Sequence, residues 1–301
     1  MMNLRHVPVL LEEALVYLDA LRPGIYIDGT IGLAGHSLEI LRRNPQAEII
    51  GFDLDEASLL EAKQRLTNYA DRVRLIQADF RCLPEMEIDF GRVCGLILDL
   101  GVSSFQLNNP QRGFSFNLEG PLDMRFDHRT KVTAAKILEK YPERHLARIF
   151  SEYGELKQAR LLAREIVARR KNQAIQTTTE LRRLVEEVCH WRPEPGKIHP
   201  AAKVFQALRI MVNGELKDLD KFLEKAASIF PPGARLVVIS FHSLEDRIIK
   251  HTFSHLARAN GFNPLLKVLT RKPVLPSEEE VSRNPRSRSA KLRAAEVIRN
   301  D

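Results

Sequence analysis

Short apolar runs separated by helix-like stretches fill the first hundred residues. "GIYIDGTIG" (Gly24–Gly32) reads as a strand followed by a loop, and "HSLEILRR" (His36–Arg43) as a helix. "AEIIGFDLD" (Ala47–Asp55) is a second strand, and "EASLLEAKQRLTNY" (Glu56–Tyr69) has apolar residues at helical spacing. "VRLIQADF" (Val73–Phe80) and "RVCGLILDLG" (Arg92–Gly101) complete four strands. Near-continuous apolar strands alternating with helices predict βαβ units and a parallel sheet covered on both faces.

The rhythm breaks at Asp99. The stretch "LILDLGVSSFQLNNPQRGFSF" (Leu96–Phe116) leaves its strand and runs on through Gly, Ser, Asn, Pro, Gln and aromatic residues. Most connections in α/β units need only about 2–6 residues. From Phe105 to Val212 no strand-like run occurs. The segments "TAAKILEKY" (Thr133–Tyr141), "KQARLLAREIVARRK" (Lys157–Lys171) and "TTELRRLVEEVCHW" (Thr178–Trp191) have helical patterns. This predicts an all-helical domain, 106–212, inserted after the fourth strand of a sheet domain made of 1–105 and 213–301. The alternation resumes with a helix at "NGELKDLDKFLEKAASIF" (Asn213–Phe230), then a fifth strand, "ARLVVISFHS" (Ala234–Ser243), after "PPG". Another helix follows at Glu245–Asn260, and "LLKVLT" and "KLRAAEVI" read as a closing pair of strands. "SRNPRSRSAK" (Ser282–Lys291) is a basic, Ser-rich loop, and no internal repeat is present.

Charge adds a direction. The 46 Lys and Arg outnumber the 39 Asp and Glu, giving a net charge of +7. An excess of this sign fits a polyanionic partner such as nucleic acid, although many basic proteins bind none. Cys82, Cys94 and Cys189 have no paired metal spacing and suggest no disulfide framework. The apolar run Val7–Leu11 stops at Glu12 and Glu13, so it reads as neither a signal peptide nor a membrane span. The expected location is cytoplasmic. The oligomeric state is open, a homodimer included.

Candidate chemistry lies at the strand ends, because ligands of open parallel sheets bind beyond the carboxyl ends of the strands. After the first strand, "DGTIGLAGHS" (Asp28–Ser37) forms a small-residue loop opening onto a helix. Gly29, Gly32, Ala34 and Gly35 let a ligand approach the backbone, and the helix start offers N–H groups. Asp28 before that loop suits a ligand with a cationic part. His36 reads equally as a helix-start residue bonded to nearby backbone. Asp53, at the second strand end, is placed to accept ribose hydroxyls, with Asp55 the better helix cap. Asp79 and Phe80 end the third strand, where an acid and an aromatic ring suit an adenine; a core role for Phe80 is the alternative. Asp99 ends the fourth. At the fifth, Ser240 and His242 lie two apart and face one way if both are in the strand. His242 is then either a proton acceptor or a structural histidine. No metal-ligand cluster is evident.

Eight blocks carry a resemblance: "HVPVLLEEAL", "YIDGTIGLAGHS", "LILDLGVSS", "RGFSF", "GPLDMRFD", "FQALRIMVNGEL", "ISFHSLEDRIIK" and "NPRSRSAKLRAAE". They run in order from His6 to about Glu296 and resemble the RsmH (MraW) family of bacterial 16S rRNA methyltransferases. The resemblance implies a class I S-adenosylmethionine-dependent methyltransferase fold: Rossmann-like, α/β, with a mostly parallel sheet and an inserted helical domain that recognises substrate. It implies S-adenosyl-L-methionine as cofactor. The implied reaction is methylation of the exocyclic N4 amine of a cytidine in the decoding (P-site) region of 16S rRNA, within the small ribosomal subunit and with no membrane partner. Carried over by position, the cofactor contacts are Ala34, Gly35, His36, Asp53, Phe80, Asp99 and Gln106. Asp99, Ser103, Ser104 and His242 are the candidate catalytic groups around the amine, and no metal is implied. The chain departs from the family at Phe105, usually Pro, at Asn108, often Asp, and at Ala34, often Gly. Two other classes fit parts of the pattern. A nicotinamide-dependent oxidoreductase would share the sheet, but the loop lacks a clear G-x-G-x-x-G and is preceded by an acid. A non-catalytic RNA-binding assembly factor would share the charge.

Overall fold

The computed structural model describes residues 8–194, 196–258 and 264–298. His6, Val7, Ala259 and Asn260 of the sequence patterns above lie outside them. The chain divides into two compact units, Met1–Gly101 with Asp218–Asp301, and Val102–Lys217.

In the first unit, α1 (Leu11–Leu18) leads into β1 (Gly24–Asp28), α2 (Gly35–Arg43), β2 (Ala47–Asp53), α3 (Glu56–Arg65), β3 (Val73–Gln77) and β4 (Val93–Asp99). The second unit holds α4 (Ser104–Asn108), α5 (Ala134–Lys140), α6 (Glu143–Glu152), α7 (Ala159–Arg169), α8 (Thr178–Val188) and α9 (Pro200–Asn213). The first unit then resumes with α10 (Leu219–Ile229), β5 (Arg235–Ser240), α11 (Ser243–Arg258), β6 (Leu266–Val268), α12 (Glu278–Arg283) and β7 (Lys291–Val297).

The seven strands form one sheet in the order β3-β2-β1-β4-β5-β7-β6. The five strands from β3 to β5 are parallel, and β7 and β6 join antiparallel. The chain winds outward from β1 through β2 to β3, then restarts at β4 on the other side of β1. This reversal is the topological switch point, where the loops diverge and leave a crevice at the carboxyl ends. The expected mostly parallel α/β sheet, with its closing antiparallel pair, is the one observed.

Alternation along each strand explains why both faces are covered. Ile25, Ile27, Leu96, Leu98, Leu236 and Val238 point into one core with Phe222, Phe230 and Phe253 of α10 and α11. Tyr26, Ile49, Ile97, Val237 and Ile239 point into the other, with Leu15 and Leu18 of α1 and Ile40 of α2. Each such buried aliphatic or aromatic side chain contributes about 1.5–3 kcal/mol. The second unit has its own core, in which Phe150, Leu162, Ile166, Leu181, Leu184 and Leu208 are buried. Among its described residues the β-pairing is an isolated bridge, Pro121 with Thr177.

Three local expectations change, and one is refined. The stretch 213–230 is not one helix: α9 ends at Asn213, where Gly214 turns left-handed (φ 61°), and α10 starts after Asp218 (φ 53°). Glu12 and Glu13, which end the apolar run, occupy the first turn of α1, where carboxylates favour the helix dipole. The helix at 56–69 ends at Arg65, followed by a 3₁₀ turn over Thr67–Arg72. Finally, β5 stops at Ser240, so His242 is not on the strand. Among the described residues no helix is long and apolar enough to cross a membrane.

Candidate active site

The loop after β1 is tied to the strands on both sides. Gly29 N donates to Ile97 O of β4 (2.9 Å) and Ile31 N to Phe52 O of β2 (2.8 Å). Gly32, at φ 49°, turns its N–H to Asp53 Oδ2 (2.9 Å). A β-carbon at Gly32 would meet nothing closer than 3.8 Å, so this stretch of loop is open rather than packed. Ala34 is left-handed (φ 57°) at the start of α2, a conformation that favours glycine. The strain that Ala34 carries is offset by complete burial of its methyl group.

Three carboxylates end β1, β2 and β4 at the switch point. Asp28 is buried; Ser37 Oγ donates to its Oδ2 (2.6 Å) and Thr30 N to its Oδ1 (3.3 Å). Burial pushes Asp28 up to about 6 against the pull of these two bonds. Burial likewise raises Asp53 to about 6, although Asp55 N and Gly32 N both donate to it. Asp55 caps α3 through Ala57 N, as expected.

Asp99 is the most perturbed of the three. Its backbone N–H donates to Thr30 Oγ1 (2.7 Å). Its Oδ1 is buried with no hydrogen-bond partner among the described residues, and its Oδ2 lies 4.0 Å from His36 Nδ1. Burial, then the charges of Asp28 and Glu245, raise Asp99 to about 8. A carboxyl group left unpartnered at a strand end needs an explanation, because such groups normally find donors. His36 is buried, and its Nε2 lies 3.1 Å from Val9 O. A carbonyl can only accept, so that nitrogen carries the proton and Nδ1 faces Asp99.

Phe80 is buried in the sheet core, edge-on to Phe222 at 4.8 Å, with Arg81 over its ring at 5.1 Å. Asp79 lies beyond the end of β3, and its carboxylate accepts from Arg81 N and Arg81 Nη1. Both residues therefore have structural partners.

His242 and Ser240 do not share a face. Ser240 is fully buried and its Oγ donates to Lys291 O (3.3 Å). His242 precedes α11 in a reciprocal cap with Glu245. Glu245 N donates to His242 Nδ1 (3.4 Å), and Glu245 Oε2 accepts from Phe241 N and His242 N. His242 Nε2 approaches Glu245 Oε1 at 3.2 Å without hydrogen-bond alignment. Glu245, 1% exposed, was not singled out from the sequence. Its signal is a capping-box spacing, "HSLE", with histidine in the place usually held by Ser or Thr.

Ser103, Ser104 and Gln106 belong to the second unit. Ser103 Oγ accepts from Gln106 N (3.2 Å) and Gln106 Oε1 from Ser103 N (3.0 Å), a capping box on α4. Phe105 occupies the second position of that helix, where a backbone N–H has no intrahelical partner. Proline there would cost no hydrogen bond, so the exchange of Pro for Phe leaves the turn intact. Among the described residues no cluster of three or more His, Cys, Asp or Glu could hold a metal ion.

Comparison with known proteins gives this crevice its context. The family model of the MraW methylase family matches residues 3–298. The chain is 45% identical to the ribosomal RNA small subunit methyltransferase H of Carboxydothermus hydrogenoformans, over 99% of both chains. It is 46% identical to the protein of the same name from Desulfotalea psychrophila, over 97% of this chain and 98% of that one. For the Thermomicrobium roseum protein of that name the identity is 46%, over 98% and 94%. A crevice at the switch point, an acid at the end of each of β1, β2 and β4, and a match of this extent make the chain a member of the MraW methylase family.

Proposed function

We propose that the protein transfers a methyl group from S-adenosyl-L-methionine to the N4 amine of a cytidine in the decoding region of 16S rRNA, in the cytoplasm. The observation that carries this reading is the unpartnered Asp99 Oδ1, buried at the switch point close to Asp28 and Glu245. The names of the relatives support the rRNA target. S-adenosyl-L-methionine is the methyl donor of this chemistry, and when bound it supplies an electrophilic methyl on a cationic sulfur.

The residues present fit such a ligand. Carboxylates raised by burial and by one another gain most from a nearby cation. Two of Asp53's lone-pair positions are used by the backbone; the others remain for ribose hydroxyls. We assign Ala34, Gly35 and His36 to the amino-acid end of the cofactor, Asp53 to its ribose, Phe80 to its base, and Asp99 and Gln106 to the groups around the methyl. The target amine is a weak nucleophile because its lone pair is delocalised into the cytosine ring. Asp99 accepts an N–H of that amine and fixes its lone pair along the line of attack. Holding the two reactants so can supply at most about 7–11 kcal/mol. Ser103 and Ser104 follow Asp99 as further acceptors. His242, with Glu245 at both nitrogens, serves better to position the β5 end than to take a proton.

Two results are expected of cofactor binding. Asp53→Ala should weaken it roughly 10–100-fold by calorimetry, the worth of a charge-assisted hydrogen bond of about 1.5–3 kcal/mol. Binding should also tighten with pH. Asp28 and Asp53 are both half-protonated near pH 6 in the folded protein. A cationic ligand binds the ionised forms of these acids and of Asp99, which is half-protonated near pH 8, so Kd at pH 7.5 should be at least about tenfold lower than at pH 5.5. A Kd independent of pH would remove both acids from the cofactor site. The reaction itself is tested by incubating small and large ribosomal subunits with methyl-labelled cofactor. Label confined to the small-subunit RNA supports the proposal; label in neither, with cofactor bound, favours a non-catalytic assembly factor.

A further inference from the structure

The antiparallel β7 begins where the parallel strands end: Lys291 pairs with Ser240, the last residue of β5. The Pro285–Ser289 turn that precedes it therefore sits at the carboxyl end of the sheet, beside the crevice. That turn is pinned from inside. Ser287 is fully buried, and both its Oγ and its N donate to Asn284 O, at 2.8 and 2.9 Å. The residue after it, Arg288, is exposed.

A second projection lies beside β7, on the side away from β5, where the chain continues past β6. Thr270 bonds to Ala294 and Val274 bonds twice to Leu292. Three residues, Arg271 to Pro273, therefore span the single residue Arg293 of β7, and this bulged loop turns Arg271 and Lys272 outward, both exposed. The segment is anchored on its other side too, where Glu280 Oε1 accepts from Leu10 N (2.9 Å).

The neighbouring cations are already committed. Lys291 and Arg293 meet Asp246 at 3.3 and 2.6 Å, Arg235 meets Glu296 at 2.9 Å, and Arg283 meets Glu279. Arg271, Lys272 and Arg288 have no ion-pair partner among the described residues. At the end of the basic helix α7, Arg169 pairs with Glu187, and Arg170, just beyond it, donates to Leu138 O and Tyr141 O, while Arg160 at its start is exposed.

We propose that Arg271, Lys272 and Arg288 form a phosphate-binding rim that grips the single-stranded RNA backbone as the target base enters the crevice. The inference rests on the RNA-methylating reading above. It assigns part of substrate binding to the sheet unit rather than to the helical insertion alone. Cations held on a pinned turn and a strand bulge lose little freedom on binding, which favours fixed phosphate contacts.

The test uses the full chain and a fluorescent single-stranded oligoribonucleotide with the 16S decoding-region sequence. Kd is measured across about 50–200 mM salt for wild type, for Arg271→Glu/Lys272→Glu/Arg288→Glu, and for a control, Lys63→Glu/Lys225→Glu/Lys250→Glu, with the same change in charge. Each phosphate contact on a single strand contributes about 0.7 to the slope of log K against log salt. The rim variant should lose about 2 from that slope and bind roughly 10–100-fold more weakly, with cofactor affinity and melting temperature unchanged. The control should keep the wild-type slope. A rim variant with the wild-type slope, or a control that loses as much, overturns the proposal while leaving the RNA reading intact. Wild type that does not bind the RNA at all overturns both. If the triple variant melts early, the single Arg288→Ala, expected to lower the slope by about 0.7, decides instead.

Discussion

Asp99→Ala is expected to lower kcat by about a hundredfold to a thousandfold, with a much smaller change in cofactor affinity. The magnitude is that of removing one preorganised polar group aimed at charge developing in a transition state. β4 ends at Asp99 at the switch point, and the Asp99 backbone is fixed by Thr30 Oγ1. The carboxyl group is thus held while its Oδ1 stays without a donor. A group kept buried and unsatisfied costs free energy, about 1–3 kcal/mol or more for a charged one. A donor that arrives only with substrate, such as an exocyclic amine, relieves that cost at the reacting atom. Single-turnover kinetics separate the two readings. A loss confined to the methyl-transfer step fits the acceptor role. A loss that appears wholly in cofactor affinity would move Asp99 from the amine to the cofactor alone.

The second large effect has the opposite sign for stability. Asp99→Asn should make the cofactor-free protein more stable at alkaline pH while leaving it nearly inactive. Asp99 titrates near 8 when folded, against about 3.9 in an unfolded chain. Between these values the folded protein holds a proton that the unfolded chain has released. The native state therefore loses stability progressively as pH rises from about 4 to about 8, and the full cost is present above 8. A rise from about 3.9 to about 8 corresponds to at most about 5.5 kcal/mol. Because 24% of the side chain is exposed, solvent screening brings this to about 2–3 kcal/mol. Asparagine, which cannot ionise, escapes this cost. The variant should melt about 5 °C above wild type at pH 8.5, with the difference shrinking toward pH 4. Equal melting temperatures at pH 8.5 would mean that Asp99 is ionised and well partnered in the free protein.

These effects trace to residues whose positions, but not whose couplings, could be read from the chain. The strands were legible because apolar residues run almost unbroken where both faces of a sheet are covered. The acids ending β1, β2 and β4 were legible for the same reason, since each is the first polar residue after such a run. Their mutual influence was not. Asp28 raises both Asp53 and Asp99, and Glu245 raises Asp99, only because strand order brings distant segments together. Glu245 itself reads as one more polar residue at the start of an amphipathic helix. Ser240 and His242 misled through their spacing of two, which implies a shared face only while the strand continues. The break at Gly214 was hidden because helical spacing persists on both sides of the turn.

The central claim is the target: a cytidine amine of small-subunit rRNA, methylated at N4. The most direct measurement incubates the protein with methyl-labelled S-adenosyl-L-methionine and small ribosomal subunits from cells lacking this activity, digests the RNA and identifies the labelled nucleoside. Labelled N4-methylcytidine is the result expected. Label on any other nucleoside would contradict the assignment of the amine, and with it the role given to Asp99.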